Sequence, residues 1–310
     1  MLRAALLWLS EQSRVFRFIR GNGLARRFAS RFVAGETVDS GVAALEDLNG
    51  AGLTASLDLL GESVRNAAEA QAARDTYLDT LDRIKAAGAD ANVSVKLTQM
   101  GLDIDEALCV ENVRAIIARA KAHGSFVRID MEQSDYTDRT LQLFKRTFYP
   151  EFGNAVGVVL QSYLRRTEQD VEQIIALGAR VRLCKGAYQE PETVAFPDKR
   201  DVDATYVRCM ERLMLKGNYP GIATHDARII EHAKAFARDK GIQPSRFEFQ
   251  MLYGVRRDLQ HGLRRQGYNV RVYVPFGTQW YPYLMRRLAE RPANVAFLVG
   301  NMVRESLRRS

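Results

Sequence analysis

The stretch VGVVLQSY at residues 156–163 is followed by QDVEQIIAL at 169–177 and by RVRLCKGA at 180–187. A short run rich in β-branched residues, a segment with helical periodicity and a second such run are typical of a β/α unit with parallel strands. The same alternation extends over most of the chain and gives eight candidate strands: 56–60, 92–98, 126–131, 156–163, 180–187, 221–225, 247–252 and 270–274. Eight such units predict an α/β fold, a distorted (β/α)8 barrel.

The alternative is an open, doubly wound sheet, which the sequence favours less because no Gly-x-Gly-x-x-Gly motif follows the first strand. The length of 310 residues is compatible with one large barrel or with two ordinary domains. No low-complexity linker or internal repeat divides the chain. We therefore predict an N-terminal helical segment over 1–50 and a single barrel domain over 51–310. We include a helical C-terminal tail in that domain and expect its final barrel helix to lie over the mouth.

The formal net charge of the chain is +8. This charge permits nucleic acid, an anionic membrane or an anionic cofactor as a partner. We expect no nucleic-acid partner, because the sequence contains no zinc-finger spacing, no basic-aromatic RNA motif and no Lys/Arg run. Cys109, Cys184 and Cys209 form no CxxC pair, which predicts free thiols rather than a disulfide framework or a structural metal site. Free thiols favour a cytoplasmic location.

The N-terminal stretch before residue 34 is rich in arginine and contains Glu11 as its one acid. Aromatic and aliphatic residues are interleaved with the arginines, which indicates basic amphipathic helices. Such helices either lie on the inner face of the cell membrane as a peripheral anchor or pack on the main domain, and the sequence leaves both alternatives open. An organellar transit peptide is a third, less favoured interpretation. The tail after Asn294 has a similar amphipathic pattern.

Polar and ionisable residues stand at or near the carboxyl ends of nearly all eight predicted strands, where barrels of this type carry their reactive groups. Unpaired buried charge is costly, so a purely structural barrel would gain nothing from this arrangement. The pattern instead predicts a ligand with several charged parts, such as an anionic cofactor together with a small zwitterion. The clearest examples are Lys96, Asp130, Arg182, Lys185 and His225.

The last barrel helix contains Tyr283, Arg286, Arg287 and Glu290 at spacings that place them near one another on one helical face. Two adjacent arginines beside an aromatic ring can grip a carboxylate with forked hydrogen bonds. The alternative is a solvated basic face with an Arg286–Glu290 pair, and the spacing alone does not decide between the two.

The sequence resembles the proline dehydrogenase family, in its monofunctional bacterial form, over residues 57–290. Seven motifs carry the resemblance in their chain order, of which KGAY (185–188) and YxxRRxxE (283–290) are specific together. The motifs are SVKL (94–97), IDME (129–132), VLQSY (159–163), RVRLCKGAY (180–188), ATH (223–225), FEFQML (247–252) and YLMRRLAE (283–290).

The resemblance implies FAD-dependent oxidation of L-proline to Δ1-pyrroline-5-carboxylate, with the electrons passed to a membrane quinone. It implies that Arg286, Arg287 and Lys96 bind the proline carboxylate and that Glu62 pairs with Arg286 as a gate. Asp130 is expected in the same pocket. Four residues would pack on the proline ring, namely Tyr188, Leu252, Tyr273 and Tyr283. FAD would be held noncovalently by Gln161, Arg182, Lys185, Gly186, Ala187, Thr224 and His225.

The chain departs from the family pattern at Asp226, where Asn is expected, at Gln189, where Trp is expected, and at Cys184. Two alternative functions remain open from the residues alone. One is a barrel lyase that forms a Schiff base through Lys96 or Lys185. The other is a non-catalytic, membrane-binding scaffold.

Overall fold

The computed structural model describes residues 29–290, with side chains described through Met285. Eight parallel strands pair in sequence order, and β8 closes the barrel on β1 from Thr54↔Arg271 to Leu59↔Phe276. The predicted (β/α)8 fold is confirmed. The strands are β1 Thr54–Leu59, β2 Ala91–Val95, β3 Val127–Ile129, β4 Val156–Gln161, β5 Arg180–Cys184, β6 Gly221–Ala223, β7 Glu248–Leu252 and β8 Asn269–Phe276.

Helices connect successive strands. A π-helical turn (Phe144–Phe148) and a short α-helical turn (Tyr149–Phe152) extend the helix after β3. The longer helices are α1 Val38–Gly50, α2 Ala67–Ala86, α3 Glu106–Ala122, α4 Ser134–Leu143, α5 Thr167–Leu177, α6 Lys199–Lys216, α7 Ala227–Asp239, α8 Arg257–Arg265 and α9 Trp280–Glu290.

Side-chain caps fix where many of these helices begin. Thr37 and Ser40 form a reciprocal capping box at the start of α1. Asn66, Asp105 and Asp198 accept hydrogen bonds from backbone N–H groups in the first turns of α2, α3 and α6. A cap satisfies donors that the helix itself cannot pair, so these residues set the helix starts locally.

Helix α1 takes the outer position between β8 and β1, because it packs on both strands. A Cβ added at Gly41 would lie 3.3 Å from the side chain of Leu57 and 3.4 Å from that of Phe276, so glycine allows this close approach. Trp280 at the start of α9 donates a hydrogen bond to Glu36 just before α1, at 2.9 Å. The division of the chain at residue 50 and the placement of α9 over the barrel mouth stay predictions.

The barrel separates an apolar outer layer from a polar interior. Along β1, Leu57 is fully buried, while the alternate positions Ser56 and Asp58 are also buried and polar. Alternate residues of a strand face opposite sides, so the leucine packs under the helices and the polar pair lies inside the barrel. The other strands repeat this pattern, with interior residues Asn92, Ser94, Arg128, Asp130, Arg182, Glu248, Gln250 and Arg271.

Three further observations concern the cysteines, metal ligands and helix hydropathy of the described residues. The cysteines are free thiols, and Cys109 and Cys209 are buried. Within residues 29–290, no His/Cys/Asp/Glu group is arranged to hold a metal ion. Across the same residues, each helix is too short or too polar to cross a membrane. The basic N-terminal stretch lies almost entirely outside the described residues, as does the tail after Asn294.

Candidate active site

The carboxyl end of the barrel interior holds a buried cluster of paired charges. Lys96, just after β2, donates to Asp58 of β1 at 2.6 Å. Its Nζ also lies 4.0 Å from Asp130 Oδ2, just after β3. Asp130 in turn accepts from Arg182 of β5 at 2.7 Å and from the Tyr273 hydroxyl of β8 at 2.8 Å. These five residues, from five strands or their ends, are called the upper layer.

Arg182 is held on several sides within the upper layer. Its Nη2 donates to Ser94 Oγ at 3.3 Å, and its guanidinium carbon lies 5.0 Å from the centre of the Tyr273 ring. Its Nε donates to Gln250 Oε1. The Gln250 amide donates to Glu248 at 2.5 Å, so hydrogen bonds continue from this layer toward the other end of the barrel. The guanidinium is therefore fixed in orientation before any ligand binds.

The electrostatics of the upper layer keep Lys96 charged. Burial opposes its charged form, but the carboxylates of Asp58 and Asp130 outweigh burial and raise the pKa of Lys96 well above its ordinary value. Burial also raises the pKa of Asp58, and Lys96 opposes that change. Burial and the Asp130 carboxylate raise the pKa of Tyr273. Tyr273 is therefore a neutral donor, and Lys96 presents an ammonium group at neutral pH.

Glu132 is a further buried acid near the upper layer. It accepts hydrogen bonds from the Thr98 backbone N–H, at 3.1 Å, and from the Thr98 hydroxyl. The same Thr98 oxygen accepts from the Ser63 N–H at 3.2 Å, and Ser63 lies next to Glu62 with a left-handed φ of 50°. Burial raises the pKa of Glu132 to about 7, against the opposing effect of the Thr98 hydrogen bonds.

A more open cationic region follows β5. Lys185 donates to Asp203 of α6 at 2.5 Å and to Asp226 at 3.2 Å. Although burial opposes it, hydrogen bonding from Lys185 lowers the pKa of both carboxyl groups. Gly186 has a φ of 110°, and a Cβ there would lie 2.4 Å from the Tyr163 ring. Glycine is thus required where the chain turns out of the barrel.

Three polar side chains near the carboxyl ends of β4 and β6 face the same region. The buried Oε1 of Gln161 has no hydrogen-bond partner among the described residues. The Thr224 hydroxyl accepts from the Asp226 N–H at 3.1 Å. His225 Nε2 accepts from the Leu252 N–H at 2.9 Å, so the proton of the neutral ring is on Nδ1. An unpaired buried acceptor is costly, which makes Gln161 a candidate ligand contact.

The structure brings Lys96, Asp130, Arg182 and Tyr273 into direct or near contact. The other predicted site residues before Met285 lie at the carboxyl ends of strands or in helices and loops that follow them. Glu62 follows β1, and Tyr283 is buried on α9. Arg286 and Arg287 belong to α9, and their side chains lie outside the described part of the chain. The half-buried members of the predicted set are Glu62, Lys185, Gly186, Ala187, Tyr188, His225, Leu252 and Tyr273.

Sequence reasoning missed Asp58, the direct partner of Lys96, as well as Gln250 and Asp203. A signal for Asp58 was present, because Ser56 and Asp58 alternate with leucines and so point to the opposite face of β1. Asp203 lies inside a charged helical pattern that gives no comparable signal. Its pairing with Lys185 depends on how α6 packs beside β5.

Together these features describe one class of protein: a (β/α)8-barrel enzyme with fixed cations and matched carboxylates buried at the carboxyl end of its strands. A sequence profile with the description "Proline dehydrogenase" matches residues 42–299. This match covers well over half of the chain, and the chain belongs to the proline dehydrogenase family.

Individual relatives agree with this assignment. The proline dehydrogenase of Deinococcus radiodurans is 44% identical over 308 residues, which cover 98% of each chain. Proline dehydrogenase 2 of Bacillus subtilis strain 168 is 42% identical over 289 residues, which cover 92% of this chain and 95% of that one. The bifunctional protein PutA of Escherichia coli is 28% identical over 316 residues, which cover 88% of this chain and 24% of PutA.

Solved structures show the same relationship. Proline utilization A from Bdellovibrio bacteriovorus, solved after inactivation by N-propargylglycine, superposes with a TM-score of 0.81 at 27% identity. The match covers 89% of this chain and 34% of that one. The chain therefore corresponds to about a third of that larger protein.

Proposed function

We propose that this chain oxidises L-proline to Δ1-pyrroline-5-carboxylate, with noncovalently bound FAD as cofactor and a quinone as the electron acceptor. The observation that carries the proposal is the upper layer. In this layer a charged Lys96 and a fixed Arg182 flank Asp130 and Tyr273, inside a barrel of the proline dehydrogenase family. A zwitterionic imino acid beside an anionic cofactor matches this arrangement of charges.

Lys96 acts in this proposal as a carboxylate-binding cation. Its ammonium group is buried and held by Asp58, so it is already oriented when the substrate arrives. Arg286 and Arg287 of α9 complete the carboxylate site, and Glu62 pairs with Arg286 as a gate. The apolar part of the proline ring packs against Tyr188, Leu252, Tyr273 and Tyr283. A preorganised site spends little of its binding free energy on ordering side chains.

The residues at the strand ends fit FAD. The unpaired Gln161 Oε1 offers a hydrogen-bond acceptor, and Arg182 offers a fixed cation inside the cavity. Lys185, Gly186, Ala187, Thr224 and His225 continue this lining outward from the barrel, where the more open region suits a phosphate-bearing chain. Bound FAD would supply the two-electron acceptor that amino-acid side chains lack.

The chain's own residues orient the substrate and control its protons. Proline reacts with its amine unprotonated, because the nitrogen lone pair drives oxidation at the neighbouring ring carbon. Lys96 and the arginines hold the carboxylate, and the aromatic residues exclude water from the ring. Asp130 is already engaged by Arg182 and Tyr273, which favours a role in positioning these groups rather than in accepting a proton.

The alternative function as a Schiff-base lyase receives less support from the geometry. A lysine nucleophile must lose its proton, and enzymes achieve this by lowering the lysine pKa. The pKa of Lys96 is shifted in the opposite direction by Asp58 and Asp130. Lys185, the other candidate, bonds to two carboxylates. The alternative function as a non-catalytic scaffold does not account for the buried charges of the upper layer.

The decisive experiment is an anaerobic visible spectrum of the purified protein before and after L-proline is added. We expect a flavin spectrum that bleaches with L-proline. In Lys96→Met the flavin should remain bound while bleaching requires much more proline. Lys240→Met, which changes an exposed lysine, is the matched control. A flavin that does not bleach would contradict proline as the substrate, and a protein that cannot bind FAD would contradict the cofactor.

Delivery of electrons to a quinone places the enzyme at a membrane surface, and we propose the basic N-terminal stretch as its contact. Arginines near an anionic bilayer attract it, and salt screens the attraction. Vesicles containing anionic lipid should therefore bind the full chain, less strongly as salt rises. Deletion of residues 1–33 should abolish this binding, and unchanged binding would contradict the proposal.

A further inference from the structure

A second charged cluster closes the amino end of the barrel, on the side opposite the candidate active site. The guanidinium carbons of Arg180, Arg128 and Arg271 lie 4.2, 5.2 and 5.7 Å from the centre of the Phe126 ring. Glu248 is the carboxylate that lies among them, and it accepts from Arg271 at 2.8 Å. These five residues are called the lower layer. Three cations here share one buried carboxylate.

Among the described residues, the hydrogen bonds of this layer engage the guanidinium groups of Arg128 and Arg271 but not that of Arg180. Arg128 donates to the carbonyl oxygens of Val158 and Arg180, and Arg271 donates to Glu248, Ala55 and Asn92. Within residues 29–290, the Arg180 guanidinium makes ring contacts, to Phe126 and Tyr219, and its buried Nε has no hydrogen-bond partner. The buried Nε of Arg128 is unpaired as well. Unpaired buried donors of a cation are unfavourable unless a ligand or water meets them.

The pKa shifts in the lower layer also indicate an excess of positive charge. Burial and the neighbouring arginines lower the pKa of Arg128 well below its ordinary value. Burial, with Arg271 acting in the same direction, lowers the pKa of Arg180. Burial would raise the pKa of Glu248, but Arg271 and the other partners of Glu248 outweigh burial and lower this pKa. The layer thus has an excess of positive charge that an additional anion would relieve.

A hollow of about 420 Å³ opens directly beside this layer. Arg180 and Arg271 line it together with Asn92, Ser125 and Phe126, and Lys85 adds a further cation at its edge. Asp90 and His123 also contribute to the lining. Asp90 is exposed and its charge acts on Arg271, so the lining of the hollow has one acid against Arg180, Arg271 and Lys85.

We propose that this hollow is a binding site for a small oxyanion of the phosphate type, separate from the proline and cofactor sites. The guanidinium of Arg180 can donate N–H groups to such an anion, Arg271 adds a fixed positive charge, and lysine can supply a further point charge. A phosphate group in the hollow would lie beside the Arg180 guanidinium and balance the excess positive charge of the lower layer. This inference does not depend on the proposed oxidation of proline.

The experiment measures the thermal midpoint of the FAD-saturated full chain in inorganic phosphate and in chloride at equal ionic strength. Because a ligand that binds only the folded chain stabilises it, a hundredfold excess over Kd should raise the midpoint by about 4 °C. Arg180→Gln should abolish the response to phosphate, and Arg180→Lys should weaken it. Arg238→Gln, which removes an exposed arginine on α7, should respond like the wild type.

Equilibrium dialysis with radiolabelled phosphate provides a second readout that does not rely on unfolding. We expect one phosphate per wild-type chain and at least a tenfold loss of affinity in Arg180→Gln. Binding that persists in Arg180→Gln would locate phosphate elsewhere, including the cofactor region, and would overturn the proposal. A midpoint that rises equally in chloride would overturn it too, because it would indicate general screening.

Discussion

The two ends of the barrel interior are built from similar residues but balance their charges differently. In the upper layer, Lys96 and Arg182 are matched by Asp58 and Asp130, and each cation has a carboxylate partner within 2.7 Å. In the lower layer, three arginines surround the Phe126 ring and share Glu248. Carbonyl oxygens and an aromatic face take the place of carboxylates there.

This difference separates two ways of burying a cation. A carboxylate partner recovers much of the desolvation cost and fixes geometry, which suits a site that must hold a substrate in one orientation. Contacts to a ring and to carbonyl oxygens spread the cost over many weaker interactions. Substitutions in the upper layer are therefore expected mainly to reduce activity, and substitutions in the lower layer mainly to reduce stability.

The largest expected effect comes from removing the shared carboxylate of the lower layer. Glu248→Gln leaves the three arginines without a buried counter-charge, so the free energy of unfolding should fall by about 3–5 kcal/mol. Urea unfolding followed by circular dichroism measures the change. Glu172→Gln breaks an exposed pair with Arg212 and should leave the free energy of unfolding nearly unchanged. Equal losses in the two variants would contradict the comparison.

A pH experiment tests the buried acid near the upper layer. The pKa of Glu132 rises from its ordinary 4.5 to about 7 on folding, so between these values the folded chain holds a proton that the unfolded chain has lost. Stability from this group is present below about pH 4.5 and disappears as the pH passes 7. The total change is roughly 3 kcal/mol.

Glu132→Gln should remove this pH dependence. Urea unfolding of the variant and the wild type at pH 5 and pH 8 should show that the variant gains stability relative to the wild type as the pH rises. Glu151→Gln, which changes an exposed carboxylate paired with Arg114, is the control and should show a much smaller difference. A constant difference between Glu132→Gln and the wild type would contradict the shifted pKa.

In the upper layer, Asp130→Asn should reduce activity more than stability. The amide keeps the shape of the side chain but removes the charge that Arg182 and Lys96 face. We expect kcat/KM for proline to fall about 10- to 100-fold, the size of one lost charged hydrogen bond. Steady-state kinetics measures this change, with Asp258→Asn on the exposed surface as the control. An unchanged kcat/KM in Asp130→Asn would contradict a role for Asp130 in the proposed site.

The smallest effect is expected from deleting a single hydroxyl group. Tyr273→Phe removes the 2.8 Å hydrogen bond to Asp130 but keeps the ring against Arg182. Stability should fall by about 1 kcal/mol, and kcat/KM should fall several-fold. Tyr136→Phe removes a comparable bond to Asp103 at an exposed position and should be nearly neutral. If the two variants behave alike, the Tyr273 bond contributes nothing particular to the site.

Strands and helices were accessible from the sequence because their periodicities are local. The run at 180–187 predicted β5, although the strand ends at Cys184, just before the chain turns out of the barrel at Gly186. The sequence predicted a strand over 270–274, whereas β8 continues to Phe276 because it pairs along the whole of β1. These differences arise from neighbours in space, which local pattern does not contain.

The sequence predicted which residues stand at the strand ends, but it did not predict how they pair. Strand ends pointed to Lys96, Asp130 and Arg182 as site residues, and in the structure Asp130 lies next to the other two, while their roles stay predictions. The Asp58 partner of Lys96 depends on the register between β1 and β2, and the strand pattern alone does not define that register. The unbalanced lower layer was likewise hidden, because its residues stand among apolar positions on four separate segments.

The hydrogen bonds between the layers have a consequence for how this sequence can change over time. Arg271, Glu248, Gln250 and Arg182 form a continuous line along the barrel axis, which ends at Asp130. A substitution at one position removes the partner of the next, so most single exchanges are penalised. Divergence along this axis should therefore proceed through compensated pairs, whereas the outer helices accept substitutions one at a time.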